Sequence, residues 1–293
     1  MRHPGTRETL HLEEAEVLEH AAFAGDQYVL RLRCPATAGA ALPGQFVHLR
    51  CDPHLPMRRP MSIMRADPKA GWIEILYKAH GGGTRLLARH RPGETLNLIG
   101  PIGVPFKLRD YRSLPLLVGG GVGIPPMIFL AEHIRRQGRD VKALVLMGSE
   151  VPFPFTPRPS RIVVDGLPAA VIASMPLLED WGVPSRLASG REQQGCYQGL
   201  VTDLAGAWIE RLDPDRRRQV EMFACGPTPM LRAVAALARR FAMPCQVSVE
   251  EYMACGVGGC AGCAVPVLTE SGRAMKRVCV DGPVFAADAV FPA

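Results

Sequence analysis

Leu114-Pro-Leu-Leu-Val118 runs into Gly119-Gly-Gly-Val-Gly123, and Ile124 to Gln137 then carries apolar residues at helical spacing. A second apolar run, Val141-Lys-Ala-Leu-Val-Leu-Met147, follows. Strand, glycine-rich turn, helix, strand is the order of a parallel α/β unit. It returns at Val220-Glu-Met-Phe-Ala224, Cys225-Gly226-Pro227 and a helix from Thr228 to Phe241 rich in Ala, Leu and Arg. Residues 111–246 are therefore expected to form a nucleotide-binding α/β domain with a parallel sheet. Backbone N–H groups at a helix start, with no side chain in the way, seat a pyrophosphate. Cys225-Gly-Pro-Thr-Pro-Met230 stands at a strand end, where open α/β sheets present ligands. Either motif alone has a packing explanation; two in one domain outweigh it. Between them, Val151 to Gly199 begins with Pro152, Pro154, Pro157 and Pro159 and has no clean period. Arg161–Val164 and Ala170–Ala173 are its candidate strands.

The residues before this domain have another texture. Tyr28-Val-Leu-Arg-Leu-Arg33, Gln45-Phe-Val-His-Leu-Arg50 and Trp72-Ile-Glu-Ile-Leu-Tyr77 alternate and are rich in β-formers. Pro43-Gly44, Gly81-Gly82-Gly83 and Pro92-Gly93 punctuate them, which predicts a small antiparallel barrel over residues 8–110. Arg59-Pro60-Met61-Ser62 and Gly81-Gly-Gly-Thr84 follow strands. A guanidinium fork suits phosphate, and Gly-Thr offers N–H and hydroxyl donors to a diphosphate. Alone, the first reads as a solvated rim charge and the second as a loop.

With 293 residues, 47% hydrophobic and 21% charged, the chain is globular and long enough for more than one core. Its net charge of +6 is spread in short clusters such as Arg216–Arg218, with no basic–aromatic interleaving to suggest a nucleic-acid surface. No run approaches the ~20 apolar residues of a membrane span, and Met1 to Leu18 carries four glutamates and no apolar signal core, so a cytoplasmic protein is expected. A disulfide framework is not expected in that reducing compartment.

Nine cysteines are present, and four crowd the tail. Cys255-Gly-Val-Gly-Gly-Cys260-Ala-Gly-Cys263 is followed by fifteen residues and then Cys279. This C-x4-C-x2-C with one distant cysteine is the spacing of plant-type [2Fe–2S] binding. The glycines let the backbone wrap closely and aim N–H groups at sulfur. Structural zinc more often takes two close pairs, and unliganded thiols in a glycine-rich loop are the remaining alternative. Residues 247–293 are expected to form a cluster module.

Barrel, R-P-x-S, G-G-G-x-G-x-x-P, C-G-P-x-x-M and the four-cysteine tail together resemble the ferredoxin–NADP reductase superfamily. Within it the chain is most similar to the electron-transfer subunits of heteromeric NAD-dependent dihydroorotate dehydrogenases, which share the domain order and an ending like Arg277-Val-Cys-Val-Asp-Gly-Pro-Val-Phe285. The resemblance implies FAD, a [2Fe–2S] cluster and NAD as cofactors. It assigns Arg59, Pro60, Met61 and Ser62, the strand residues Leu76, Tyr77 and Lys78, and Gly83 with Thr84 to FAD. Gly120, Gly121, Gly123, Pro125, Cys225, Gly226, Pro227 and Met230 fall to the nicotinamide nucleotide, and Cys255, Cys260, Cys263 and Cys279 to the cluster.

It further implies an FMN-containing catalytic subunit as partner, in a hetero-oligomer expected to be a heterotetramer, and a place in pyrimidine biosynthesis. No acid–base residue is required of this chain. Glu150, after the strand ending at Met147, is positioned to accept from both ribose hydroxyls and to repel a 2′-phosphate, which favours NAD unless Arg158 swings in. Val151–Gly199 departs from the family pattern. Small subunits of sulfide dehydrogenase or of NADH-dependent ferredoxin:NADP oxidoreductase, a stand-alone reductase, and a nucleotide-linked redox sensor are the competing readings.

Overall fold

The computed structural model describes residues 10–109, 112–138 and 141–293. The chain packs as two compact units: residues up to Pro105 with Ser248–Val284, and Phe106–Val247 with Phe285–Ala293.

In the first unit, β1 (His11–Phe23), β2 (Gln27–Arg33), β3 (Phe46–Leu49), β4 (Arg59–Asp67), β5 (Trp72–Lys78) and β6 (Thr95–Ile102) form a closed barrel in the order β1-β2-β5-β4-β3-β6. Short helices α1 (Pro35–Ala40) and α2 (Gly82–Leu87) interrupt the strands. Period-two alternation fills the barrel: Leu30, Leu32, Val47, Leu49, Ile63, Ile73, Ile75 and Leu98 are fully buried. Each such aliphatic side chain stabilises the fold by roughly 1.5–3 kcal/mol. Tyr77 continues the inward series of Ile73 and Ile75, and its ring stacks on Tyr28 with centroids 5.4 Å apart. On the outer side Glu74, nearly buried, accepts from Arg31 at 2.6 Å and Arg65 at 3.2 Å.

The second unit holds β7 (Leu114–Gly120), α3 (Ile124–Arg136), β8 (Leu144–Ser149), β9 (Arg158–Pro159), β10 (Ala173–Ser174), α4 (Pro176–Asp180), β11 (Ser185–Ser189), β12 (Tyr197–Gln198), α5 (Val201–Arg211), α6 (Pro214–Arg218), β13 (Val220–Cys225), α7 (Thr228–Arg240) and β14 (Cys245–Ser248). β12, β11, β8, β7 and β13 lie side by side and parallel. The segment rich in proline contributes β11 and β12 to this sheet and a small antiparallel pair, β9 with β10. Arg161–Val164 is not a strand, contrary to its β-branched composition. Its backbone is held by side chains instead: the Arg161 N–H donates to Glu179 Oε1 at 2.6 Å, and Arg186 Nη2 donates to the Ile162 carbonyl at 2.7 Å. Val163 is left exposed.

The tail forms an antiparallel hairpin, β15 (Ala264–Thr269) with β16 (Gly272–Arg277), in register from Ala264↔Arg277 to Thr269↔Gly272. After it, β17 (Val284–Ala286) and α8 (Ala287–Val290) end the chain's regular structure, β17 as the seventh strand of the large sheet. Read as a module of its own, the tail is in fact shared between the units. A segment of this size has too little apolar surface for a separate core. Its cysteine-bearing part is tied to the barrel: Val104 N–H donates to the Gly282 carbonyl at 2.6 Å.

Candidate redox site

Hairpin register brings two distant cysteines together. Cys263 immediately precedes β15 and Cys279 follows β16 by one residue, and the Val278 N–H donates to the Cys263 carbonyl at 3.0 Å. The two sulfurs end 3.4 Å apart, both buried. The fifteen-residue gap is thus the length of one hairpin.

Cys255 and Cys260 close the other end of the loop, and Cys260 is exposed. Burial raises the Cys255 thiol, but N–H groups of Val257, Cys260 and Gly259 and the Cys260 side chain outweigh it and bring its pKa down to about 6. Cys279 moves the other way, to about 12, through burial and the neighbouring Cys263. Among the described residues no three His, Cys, Asp or Glu side chains gather as one ion would need; the four thiols come as two pairs. Two pairs suit a centre with two irons, each taking two thiolates. Arg277 steadies the loop: Nη1 donates to the Gly258 carbonyl at 2.8 Å, and its own N–H donates to Asp281 Oδ2 at 2.8 Å.

The barrel supplies a second surface. β3 pairs with β4 through Phe46↔Ser62, Val47↔Met61, His48↔Pro60 and Leu49↔Arg59. Val47 and Met61 point inward, so Phe46, His48, Pro60 and Ser62 share the outer face. The same alternation turns Leu76 and Lys78 outward and Tyr77 inward. Of the expected flavin residues, Met61 and Tyr77 therefore offer backbone, not side chain, to that face. Arg59 and Gly83, distant in sequence, meet: a Cβ on Gly83 would lie 3.1 Å from Arg59 Nε. The Thr84 hydroxyl is already engaged with the Gly81 N–H and carbonyl, each at 3.1 Å. Arg59 Nη1 donates to the Met57 carbonyl at 2.9 Å and the Arg58 carbonyl at 3.2 Å, so the Nε–Nη2 edge that faces Gly83 and the glycine backbone are what a diphosphate would meet, which fits FAD.

In the second unit β13 lies beside β7 with Cys225 opposite Gly119, so both glycine motifs share one sheet end. A Cβ on Gly123 would sit 2.2 Å from the Cys225 carbonyl oxygen, an approach only glycine allows. A Cβ on Gly120 would strike Met230 Sδ at 2.5 Å. Gly120, Gly123, Cys225, Gly226, Pro227 and Met230 thus form one cluster. Gly121 opens at its edge with free space beside it, and Pro125 is buried in the first turn of α3. Glu150 is exposed just past the C-terminal end of β8, whose Gly148 neighbours Gly120. Arg158 is committed elsewhere, donating to Asp180 and, at 3.1 Å, to the Pro176 carbonyl.

Residues that the motifs did not mark also reach the site. Arg277 and Asp281 flank the fourth cysteine at two residues' distance, a spacing that could have flagged them. His48 lies fully buried under the cysteine loop. Burial, then the Arg58 guanidinium, pushes its pKa down to about 4 against the pull of the Cys255 carbonyl. Nothing in a strand of alternating residues signals that contact.

This is the architecture of a flavin-dependent, iron–sulfur-carrying nucleotide reductase. The structure of NADH-dependent reduced ferredoxin-NADP oxidoreductase aligns with a TM-score of 0.75 and 26% identity, covering 95% of this chain and 90% of that one. Phthalate dioxygenase reductase shares the fold, with a TM-score of 0.56 and 16% identity over 91% of this chain and 76% of that one.

Residues 250–291 match the family model described as the iron–sulfur cluster binding domain of dihydroorotate dehydrogenase B. The dihydroorotate dehydrogenase B (NAD(+)) electron transfer subunit of Bacillus caldolyticus is 36% identical over 287 residues, covering 95% of this chain and 98% of its own. That of Shouchella clausii (strain KSM-K16) is 32% identical over 273 residues, covering 92% and 94%. The chain belongs to the family of dihydroorotate dehydrogenase B electron transfer subunits.

Proposed function

We infer that this chain carries electrons between a partner subunit that oxidises dihydroorotate and NAD, using FAD and a [2Fe–2S] cluster of its own. The observation that carries the reading is the pairing of four thiols on the same unit as the Arg59–Gly83 surface. Bound flavin and cluster supply the exchange between hydride and single electrons. The chain's residues bind and orient. Arg59 and the backbone at Gly83 hold the flavin diphosphate, and Pro60, Ser62, Leu76 and Lys78 line the ring. Cys255 with Cys260, and Cys263 with Cys279, each take one iron. The backbone at Gly120–Gly123 and Cys225–Pro227 seats the nucleotide pyrophosphate, and Glu150 meets the adenosine ribose.

The partner is read as FMN-containing and the assembly as a heterotetramer. Among the described residues no helix is long and apolar enough to cross a membrane. Nine free cysteines fit a reducing compartment, so we place the protein in the cytoplasm. The high fold likeness to NADH-dependent ferredoxin-NADP oxidoreductase favours that enzyme's small subunit as a second reading. Co-expression with candidate partners separates the two. Co-purification with an FMN protein that forms orotate from dihydroorotate and reduces NAD⁺ supports the first. A complex that reduces NADP⁺ with ferredoxin and leaves dihydroorotate untouched overturns it.

A further inference from the structure

His48 sits where the two halves of the first unit's chemistry meet. Its side chain occupies the outer face of β3 directly across from Pro60, beside the Ser62 position of β4. It is fully buried. Its other side meets the cysteine loop: a Cβ on Gly256 would fall 2.7 Å from His48 Nδ1 and 3.2 Å from its Cγ. Gly256 takes φ +69°, so the turn beside Cys255 combines a left-handed backbone with a ring pressed against it.

Among the described residues neither ring nitrogen makes a well-formed hydrogen bond, although the Cys255 carbonyl of the loop and the Arg58 carbonyl lie near enough to favour a proton on the ring. Leaving such a group buried and unsatisfied costs about 1–3 kcal/mol, which a carbon ring of similar size would avoid. The nitrogens are therefore the informative atoms. They stand ready for a polar group that the loop presents once it is loaded.

We propose that His48 is a positioning residue for the iron–sulfur loop. Its ring fills the space between Pro60 and Gly256, and its N–H donates to the loaded loop, setting where the Cys255–Cys260 pair lies relative to the flavin-binding face. Hydrogen bonds to a cluster and its loop stabilise the added negative charge of the reduced state and so raise its potential. The inference rests on the reading of Cys255 and Cys260 as cluster ligands and of Pro60–Ser62 as flavin contacts.

The test uses the full chain purified anaerobically, with FAD and iron counted per chain, the reduced cluster's EPR spectrum recorded and its midpoint potential titrated. His48→Phe keeps the ring and removes the nitrogens. The expected result is retained FAD and iron, a changed EPR line shape and a more negative cluster potential. His48→Gln, which restores a donor, should recover most of that potential. Wild-type EPR and potential in His48→Phe would overturn the proposal, as would a Gln variant no closer to wild type than Phe. Should His48→Phe not accumulate, Gly256→Ala presses on the same contact from the loop side and should lose at least half the iron while keeping FAD. Full iron with a wild-type spectrum there counts against the proposal. A wild-type chain without iron would instead remove the functional reading on which this one rests.

Discussion

Grouping, not thiol acidity, divides the chain's cysteines: burial and Cys263 push the Cys279 thiol up to about 12, as high as the barrel thiol Cys34, yet its sulfur lies 3.4 Å from that of Cys263. Cys34 and Cys51 are fully buried in the barrel, each directed at a backbone carbonyl of its own strand segment. Cys255 has the Cys260 side chain and amide donors beside it. Cys260→Ser should therefore leave fewer than half the irons, while Cys34→Ser and Cys51→Ser keep the wild-type iron content. Equal losses in all three would break the ligand assignment. Glu150 supports a second expectation. It stands exposed past β8, and the Arg158 guanidinium is tied to Asp180 and Pro176 rather than free to hold a 2′-phosphate. NADH should beat NADPH in kcat/KM with a dye acceptor, and Glu150→Ala should narrow the ratio roughly tenfold, the equivalent of about 1.4 kcal/mol. A wild-type preference for NADPH would remove the role given to Glu150.

At the scale of elements, the hairpin β15–β16 is what makes four cysteines a site. Its pairing carries the chain out from Cys263 and back to Cys279, and Val278 bonded to Cys263 locks the return. Side chains alternate with period two, so one extra residue in a strand reverses every side chain after it. An alanine inserted between Lys276 and Arg277 should abolish iron binding. The same insertion between Glu270 and Ser271, at the exposed turn, should leave iron near two per chain. Iron analysis with visible absorption reads both, and equal loss at the two positions would contradict the register argument.

The whole molecule divides its tasks between units of separate packing. Cys260→Ser should keep FAD, and NADH should still bleach it, because the four thiols are a different residue set from Arg59 and Gly83 and from the glycine cluster of the second unit. Transfer to the partner should stop. Loss of FAD with the iron would show that the loop is part of the flavin site. The barrel core also sets an alkaline limit. Cys34 titrates near 9 when unfolded and near 12 in the fold, where burial and then the Glu13 charge disfavour its thiolate. A raised acid pKa gives stability that is whole below pH 9 and lost as pH climbs toward 12. The full span is worth about 4 kcal/mol at most. Urea midpoints should fall between pH 8.5 and 10.5, and Cys34→Ala should flatten that slope; an unchanged slope would exclude the thiol as its cause.

The sequence by itself determined whatever depends on local order. Alternation in Tyr28–Arg33 and Trp72–Tyr77, the glycine-rich turn after Leu114–Val118 and the cysteine spacing each encode backbone geometry within a few residues. They specified a barrel, a parallel sheet and a cluster loop, and through the family pattern the cofactors. Only the tertiary structure decided which of those residues meet. Arg59 against Gly83, Gly123 against Cys225 and His48 under Gly256 are contacts between segments whose separation carries no periodic signal. It also turned Met61 and Tyr77 into the barrel, spent the Thr84 hydroxyl on Gly81, tied Arg158 to Asp180 and held Arg161–Val164 as a loop. At Arg161–Val164 strand propensity was outweighed by the Glu179 and Arg186 side chains, bonded to backbone groups that the fold alone brings near.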